Sequence, residues 1–376
     1  MKHKKLILGV TLGGSSRLLD GQAAYFRDLG YDVYLVSEDH YKEHLFCKRE
    51  EITHLPVDID SEINLVKDLK SLSQIYRHFI KVKPDIVNVG TPKMGLLGMM
   101  AAKLSGINKR IYTCRGFRFE TELGLKRKIL IWTEKISAHL AHKVIYVSPS
   151  LLEKAVDMGI CKEEKALLIE KGSSNGVNIE FFNFNQVNEH ERKKLINKYN
   201  LYGKLVIGFV GRVSKHKGSE ELVAVFERLQ KQYADLRLIM MGHIDCSTEF
   251  ENYFRSNPNI IHIPFQDNVP LYMSLFDIFV LPSWREGFPN VPIQAAAMGL
   301  PVIVSDATGC IDAVKEGYNG KIFKCGDEND LYDVLYQYIE NKELREKHGV
   351  NGKKWALNFN SRKIWNGIKK VYEDNV

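Results

Sequence analysis

Three observations in the sequence predict an α/β protein made of two Rossmann-like, parallel-sheet domains. A chain of 376 residues exceeds what one hydrophobic core usually organises, so two domains of roughly 180 residues each are expected. Short, unbroken runs rich in Val, Ile and Leu recur with helix-length stretches between them, as parallel strands covered on both faces require. These runs form two series, separated by a turn-rich segment at 171–183 that holds Gly172, Ser173, Ser174, Asn175, Gly176 and Asn178.

The first series comprises residues 6–10, 33–36, 86–89, 111–113 and 144–147. Its first run follows Lys2, His3, Lys4 and Lys5 and so imitates a secretory leader. Thr11 and Gly13 break the apolar stretch too early for one, and a buried first strand is the reading taken. The second series comprises 205–210, 236–241, 278–281 and 302–304. At the end, Ile364, Trp365, Ile368 and Val371 recur at helical spacing and predict an amphipathic helix over 361–376.

Composition narrows the class. With 44% hydrophobic and 26% charged residues the chain is neither disordered nor collagenous. The longest nearly uncharged apolar run, 94–102, is far short of the roughly 20 residues a spanning helix needs, so any membrane contact is expected to be peripheral. The six cysteines are scattered, with no CxxC pair and no zinc spacing, which fits a reduced cytoplasm. The net charge of +7 is uneven. Residues 76–150 hold fourteen Lys and Arg against four acids, a local +10, so the remainder is slightly acidic. No nucleic-acid motif accompanies that window, and nucleic-acid binding is not expected.

Ligands of open α/β sheets bind beyond the carboxyl ends of the strands, so the residues after each strand are the places to search. Four segments stand out there. After the first strand, TLGGSSRLLDGQ (11–22) offers Gly13 and Gly14, which permit close backbone approach, and a following helix whose free amides would point at an anion. The segment is neither GxGxxG nor a P-loop, and a plain turn is the alternative. GFVGRVSKHKG (208–218) sets Arg212 and Lys217 around a glycine-bearing turn, an arrangement suited to a diphosphate; a solvated basic loop is the alternative.

The third segment, PSWREGFPNVPIQAAAMGLP (282–301), follows a buried strand. Pro292 fits the first turn of a helix through Gln294, so the amides of Gly287, Phe288 and Asn290 are expected to face an inter-domain cleft, with Glu286 meeting whatever the phosphate carries. The fourth, TCRGFRFETE (113–122), crowds Arg115, Arg118, Glu120 and Glu122 at a strand end. Just beyond it, Leu125, Ile129, Trp132, Ile136 and Leu140 recur at helical spacing, with Lys126, Arg127, Lys128 and Lys135 elsewhere on the same predicted helix. The apolar stripe is read as facing the core, with the cations free to meet anionic lipid.

Taken together, FVGRVSKHKG, LPSWREGFPNVPIQAAAMGLPVIVSD, the hinge KGSSNGVN and the early GQAAYFRDLGYDVYLVS resemble the retaining glycosyltransferases of nucleotide-sugar-dependent family 4, over nearly the whole chain. RGFRFETELG points within that family to the bacterial capsule, exopolysaccharide and lipopolysaccharide transferases. The resemblance implies a GT-B fold, two Rossmann-like domains facing each other across a cleft. It divides the chain into an acceptor domain (1–178), a nucleotide-sugar domain (179–358) and a last helix (359–376) that crosses back.

It further implies that Arg212 and Lys217 hold the donor diphosphate and that Glu286 contacts hydroxyls of the transferred sugar, these three forming the catalytic set. Gly13 and Gly14 would close on the phosphates, Phe265 and Gln266 would hold the base, and Gly287, Phe288, Pro289, Asn290 and Gln294 would complete the donor site. Arg115, Arg118 and Glu120 would lie on the acceptor side. The implied donor is a UDP-sugar carrying a hexose or N-acetylhexosamine, GDP being the alternative. The acceptor would be a lipid-linked or other saccharide, no metal or cofactor would be needed, and the enzyme would be cytoplasmic, peripheral on the inner membrane face.

Two positions depart from the family. Its signature has two glutamates separated by seven residues, and the second is here Gln294, which keeps one acceptor oxygen but loses the charge. Losing one charge-assisted bond to the ribose would weaken donor binding by about 1–2 kcal/mol, roughly tenfold. Arg115 stands where many members carry a histidine, which removes a histidine-based proton role. A nucleotide-sugar epimerase of the same architecture and a donor-binding subunit without turnover are the competing readings; a dehydrogenase is disfavoured by the missing dinucleotide fingerprint.

Overall fold

The computed structural model describes residues 3–60 and 62–374. Two compact units divide the chain: Met1–Gly176 with Ser361–Val376, and Val177–Asn360.

Unit 1 alternates strand and helix: β1 (Lys5–Gly9), α1 (Gln22–Asp28), β2 (Asp32–Glu38), α2 (Tyr41–Glu50), β3 (Thr53–Val57), α3 (Leu65–Val82), β4 (Ile86–Gly90), α4 (Pro92–Leu104), β5 (Lys109–Cys114), α5 (Gly124–Leu140), β6 (Lys143–Tyr146), α6 (Pro149–Asp157) and β7 (Ala166–Leu168). Every strand pairing is parallel, in the order β3, β2, β1, β4, β5, β6, β7. Leu6 aligns with Val33 on one side and Ile86 on the other, and all three are buried, as the unbroken apolar runs require.

Unit 2 begins with α7 (Glu189–Lys198). It continues through β8 (Leu205–Val210), α8 (Ser219–Gln230), β9 (Leu236–Met241), α9 (Thr248–Ser256), β10 (Ile260–Ile263), α10 (Val269–Met273) and β11 (Ile278–Leu281). After these come α11 (Asn290–Ala297), β12 (Val302–Ser305), β13 (Gly320–Phe323), α12 (Glu328–Glu340) and α13 (Lys342–Ala356). Its parallel sheet runs β10, β9, β8, β11, β12, β13. The winding direction reverses between β1 and β4 in one sheet and between β8 and β11 in the other, the positions where such sheets bind ligands.

The last helix, α14 (Ser361–Glu373), belongs to unit 1. Ile364, Ile368 and Tyr372 join the core formed by Leu6, Leu8 and Phe26, and the Tyr372 hydroxyl accepts a 2.7 Å bond from Asn88 of β4. Trp365 donates from Nε1 to Asn175 at 2.7 Å. The last two residues of the helix expected over 361–376 lie outside the described residues, as does Lys2 of the basic N-terminal run.

The α5 stripe does not face the core, contrary to the sequence reading. Leu125 is 73% exposed and Trp132 67%, with Ile129 and Ile136 also open, while Leu130, Glu134, Ser137 and Ala138 pack inward. Helical spacing identifies an apolar face without stating which face meets the sheet. Here the inward face is narrow, and its carboxyl group accepts a 2.9 Å hydrogen bond from Tyr112 of β5.

Candidate active site

In unit 2 the exits of β8 and β11 are pressed together. Gly218 adopts φ 69°, and a Cβ there would lie 2.1 Å from the carbonyl oxygen of Pro282. Only glycine lets the turn carrying Lys217 sit against the segment leaving β11. Ser219 Oγ accepts from the Ser214 amide at 2.9 Å and donates to its carbonyl at 3.1 Å, closing that turn on itself. The result brings Lys217 Nζ onto Glu286 Oε1 as an ion pair, both side chains mostly buried, and Ser283 Oγ donates to the same oxygen at 2.9 Å. Below them the Cys310 thiol is pushed well above its ordinary pKa by burial and then by the Glu286 charge, so it remains a neutral thiol.

Arg212, one turn earlier, is 65% exposed and pairs with Asp245 at 3.2 Å. An exposed pair of this kind is worth about 1 kcal/mol or less, so the guanidinium is readily drawn to a stronger anion. At the exit of β9, Gly242 is likewise required, since a Cβ would lie 2.0 Å from the Gly211 carbonyl oxygen. His243, directly after it, stacks on Phe265 from the β10 exit, with centroids 5.6 Å apart and planes 9° apart. Gln266 accepts a 3.2 Å bond from the Tyr272 hydroxyl.

Beyond Glu286, the Gly287 carbonyl lies under Gly309, where a Cβ would approach it to 2.3 Å. The Phe288 side chain is buried against Phe359 at 5.1 Å, so this residue can offer a ligand only its backbone. Pro289 precedes α11 as its N-cap, Asn290 opens the helix and Gln294 lies half-buried one turn on.

In unit 1 the glycine loop differs from the expectation. A short 3-10 turn, Ser15–Leu19, follows Gly13 and Gly14, and α1 begins only at Gln22. The amides are already engaged: Gly13 donates to Glu38 at 2.6 Å, Gly14 to Glu43 at 2.5 Å, and Gly21 and Ala24 at the start of α1 to Glu50 at 3.2 and 3.1 Å. Carboxylates from β2 and α2 thus occupy the positions expected to meet an anion.

Arg115, at the exit of β5, is enclosed. It donates to the Ser174 carbonyl at 3.0 Å and to the Ser174 hydroxyl, and burial lowers its pKa to about 10. Arg118 and Glu120 lie on the short helix Arg118–Thr121, and Glu120 pairs with Lys154 at 2.5 Å. The stacked, buried Phe117 and Phe119, 4.7 Å apart, hold this loop down. At the β1/β4 switch point Thr91 adopts φ 68°, unfavourable for a β-branched residue, and its hydroxyl meets that of Thr11 at 2.7 Å.

Of the residues the sequence assigned to one ligand, Lys217 and Glu286 lie together as an ion pair, while Arg212 is turned to Asp245. It missed His243, Ser283 and Thr91. His243 and Thr91 each follow a strand end, so the rule that selected the other segments reaches them, but a lone His and a lone Thr carry no spacing signal.

Comparisons with known proteins fit this geometry. Residues 12–179 match the family described as Glycosyltransferase Family 4, and residues 191–355 match Glycosyl transferases group 1. The chain is 36% identical to the capsular polysaccharide biosynthesis glycosyltransferase CapM of Staphylococcus aureus, over 99% of this chain and 97% of that one. The chain belongs to glycosyltransferase family 4. This family 4 transferase is also 28% identical, over 84% of its length and 81% of the relative's, to the Escherichia coli UDP-Gal:alpha-D-GlcNAc-diphosphoundecaprenol alpha-1,3-galactosyltransferase. Among solved structures, the UDP complex of Anabaena HepE superposes with a TM-score of 0.79 at 18% identity, covering 98% of both chains, which places the family 4 transferase in the GT-B fold.

Proposed function

We propose that this glycosyltransferase moves a hexose or N-acetylhexosamine from a nucleoside diphosphate, UDP first, to a lipid-diphosphate-linked saccharide in surface polysaccharide synthesis, with retention at the anomeric carbon. The observation that carries the reading is the Lys217–Glu286 pair at the β8/β11 switch point. It joins a cation suited to a phosphate and a carboxylate suited to sugar hydroxyls. The 28% identical relative supports the choice of UDP and of a lipid-linked acceptor, since both appear in its name.

In the proposed reaction the acceptor oxygen bonds to the anomeric carbon on the face the leaving group vacates, while the bond from that carbon to the β-phosphate oxygen breaks. The acceptor's proton passes to the departing phosphate, so no enzyme nucleophile is needed. Lys217 and Arg212 stabilise the charge gathering on the diphosphate, and neither step requires a metal. To do this Lys217 must share its charge between Glu286 and the phosphate, and Arg212 must leave Asp245. Arg115 is assigned to the acceptor side because it is an enclosed cation at a ligand-bearing strand end. The site of action proposed here is the cytoplasmic membrane face, reached by peripheral attachment to meet a lipid-linked acceptor; among the described residues no helix is long and apolar enough to cross a membrane.

The test is a thermal-shift panel of nucleotide sugars, followed by transfer to a prenyl-diphosphate saccharide in chelator. A ligand at a hundred times its Kd should stabilise by about 2.7 kcal/mol. No shift with any UDP- or GDP-sugar sinks the donor reading, and loss of transfer in chelator sinks the metal-free one.

A further inference from the structure

We propose that the helical layer α3, α4 and α5 of unit 1 is the surface on which the protein docks to an anionic lipid bilayer, with the outer stripe of α5 entering the headgroup–acyl boundary. The three helices pack side by side, with α4 in the middle. The two outer ones both turn apolar residues away from the sheet. On α5 these are Leu125, Ile129, Trp132 and Ile136; on α3 they include Leu65 (78% exposed), Leu69 (67%), Tyr76 and Ile80. Leu104, the last residue of α4, adds a further exposed side chain, and with Leu69, Leu72 and Tyr76 it lines a shallow groove. So much apolar surface on one layer is not what a protein wholly in water keeps open.

Charge selects the occupant. Across the three helices there are ten Lys and Arg and two acids, Asp68 and Glu134. Asp68 is engaged by Lys93 at 2.6 Å, and Glu134 is buried. Lys67, Lys70 and Lys126 pair with Asp60, Asp58 and Glu122 from the flanking loops, and the other outward charges, among them Lys81, Lys103, Arg127, Lys128 and Lys135, are cations. A second copy of the same face would set these cations against one another, whereas anionic lipid complements them and accepts the apolar stripe between them. Trp132 and Tyr76 are the aromatic types that settle at such a boundary.

Direction adds a third argument. Helix α5 is 17 residues, about 25 Å, and starts just after the loop that holds Arg115 at the ligand-bearing edge of the sheet. A bilayer along α5 therefore meets unit 1 beside that edge. At the far end the face continues into a groove of about 540 Å³, where Trp132, Lys135, Ile136, Ile160 and Lys162 surround room for a headgroup or chain end. The use of such a face rests on the lipid-linked acceptor proposed above, but its geometry does not.

The test is co-sedimentation of the full chain with vesicles of phosphatidylcholine alone and of equimolar phosphatidylcholine and phosphatidylglycerol, at low and high salt. Binding should require phosphatidylglycerol and weaken with salt. The pair Leu125→Ser with Trp132→Ser should lower partitioning about tenfold or more, and Lys→Gln at 126 and 128 about fivefold per cation. All four side chains are exposed, so melting temperatures should not fall. Binding that ignores phosphatidylglycerol, or that survives the Leu125/Trp132 pair, overturns the proposal. So does a dimer that this pair dissociates, which would give the face to a second copy. Docking without transfer to any lipid-linked acceptor would refute the functional reading and leave the docking face standing; transfer to membrane-held acceptor undiminished by the pair would do the reverse.

Discussion

Gly218 and Gly203 adopt the same φ of 69°, yet a Cβ at Gly203 meets nothing within 4 Å, whereas one at Gly218 lies 2.1 Å from the Pro282 carbonyl oxygen. Replacing each by alanine separates backbone strain from collision. Gly203→Ala carries only the left-handed penalty, about 1 kcal/mol, which in a domain of this size lowers Tm by roughly 2–4 °C. Gly218→Ala carries that penalty and must also push the facing backbones apart by more than 1 Å to reach ordinary contact, adding about 1–3 kcal/mol. That displacement falls between Lys217 and the strand exit that leads to Glu286. A shift near 1 Å in a catalytic constellation lowers turnover by about a hundredfold. Differential scanning fluorimetry and donor kinetics on the two variants check this. Gly203→Ala should keep kcat/KM, while Gly218→Ala should lose roughly two orders of magnitude and melt earlier. Equal melting temperatures, or a Gly218→Ala enzyme within about threefold of the parent, would refute the claim that this contact sets the site.

Burial raises the Glu134 carboxyl from its ordinary 4.5 to about 7 despite the Tyr112 hydrogen bond. Between those values the folded chain holds a proton that the unfolded chain has released, so stability should fall as pH rises through that window, by at most about 3 kcal/mol. Glu134→Gln should remove this slope in denaturation curves taken from pH 5 to 8, and parallel curves for the two proteins would reject it. Gln294→Glu, restoring a charged acceptor for the ribose hydroxyls, should lower the donor KM about tenfold with little change in kcat. An unchanged KM would show that Gln294 does not meet the ribose.

The strands that the sequence announced are the inner ones, and those it hid are the sheet edges. The unbroken apolar runs coincide with β1, β2, β4, β5 and β6 in one sheet and β8, β9, β11 and β12 in the other. By contrast β3, β7, β10 and β13 are the outermost strands of their sheets. A strand with one neighbour is covered less completely: β3 reads Thr-His-Leu-Pro-Val, with only Val57 buried, and tolerates a proline because one side carries no ladder. All three residues of β7 are half-exposed. Periodicity reports burial on both faces, and edges do not have it.

The same logic explains why the segments leaving β8 and β11 were legible and the glycine loop was not. At Gly218 and Gly242 a Cβ would lie about 2 Å from a facing backbone carbonyl oxygen, so these positions require glycine, and the turns those glycines permit carry Lys217 to Glu286. At Gly13 and Gly14 the sequence showed the amides but not what would reach them. Glu38, Glu43 and Glu50 come from β2 and α2, and their spacing along the chain gives no sign that they converge on the loop after β1. The α5 stripe failed for a related reason. Its period was right, but periodicity alone does not say which face of a helix meets the sheet. Here the inner face holds Glu134 and Ser137 and the outer face holds Leu125 and Trp132, so the apolar stripe and the buried face of the helix do not coincide.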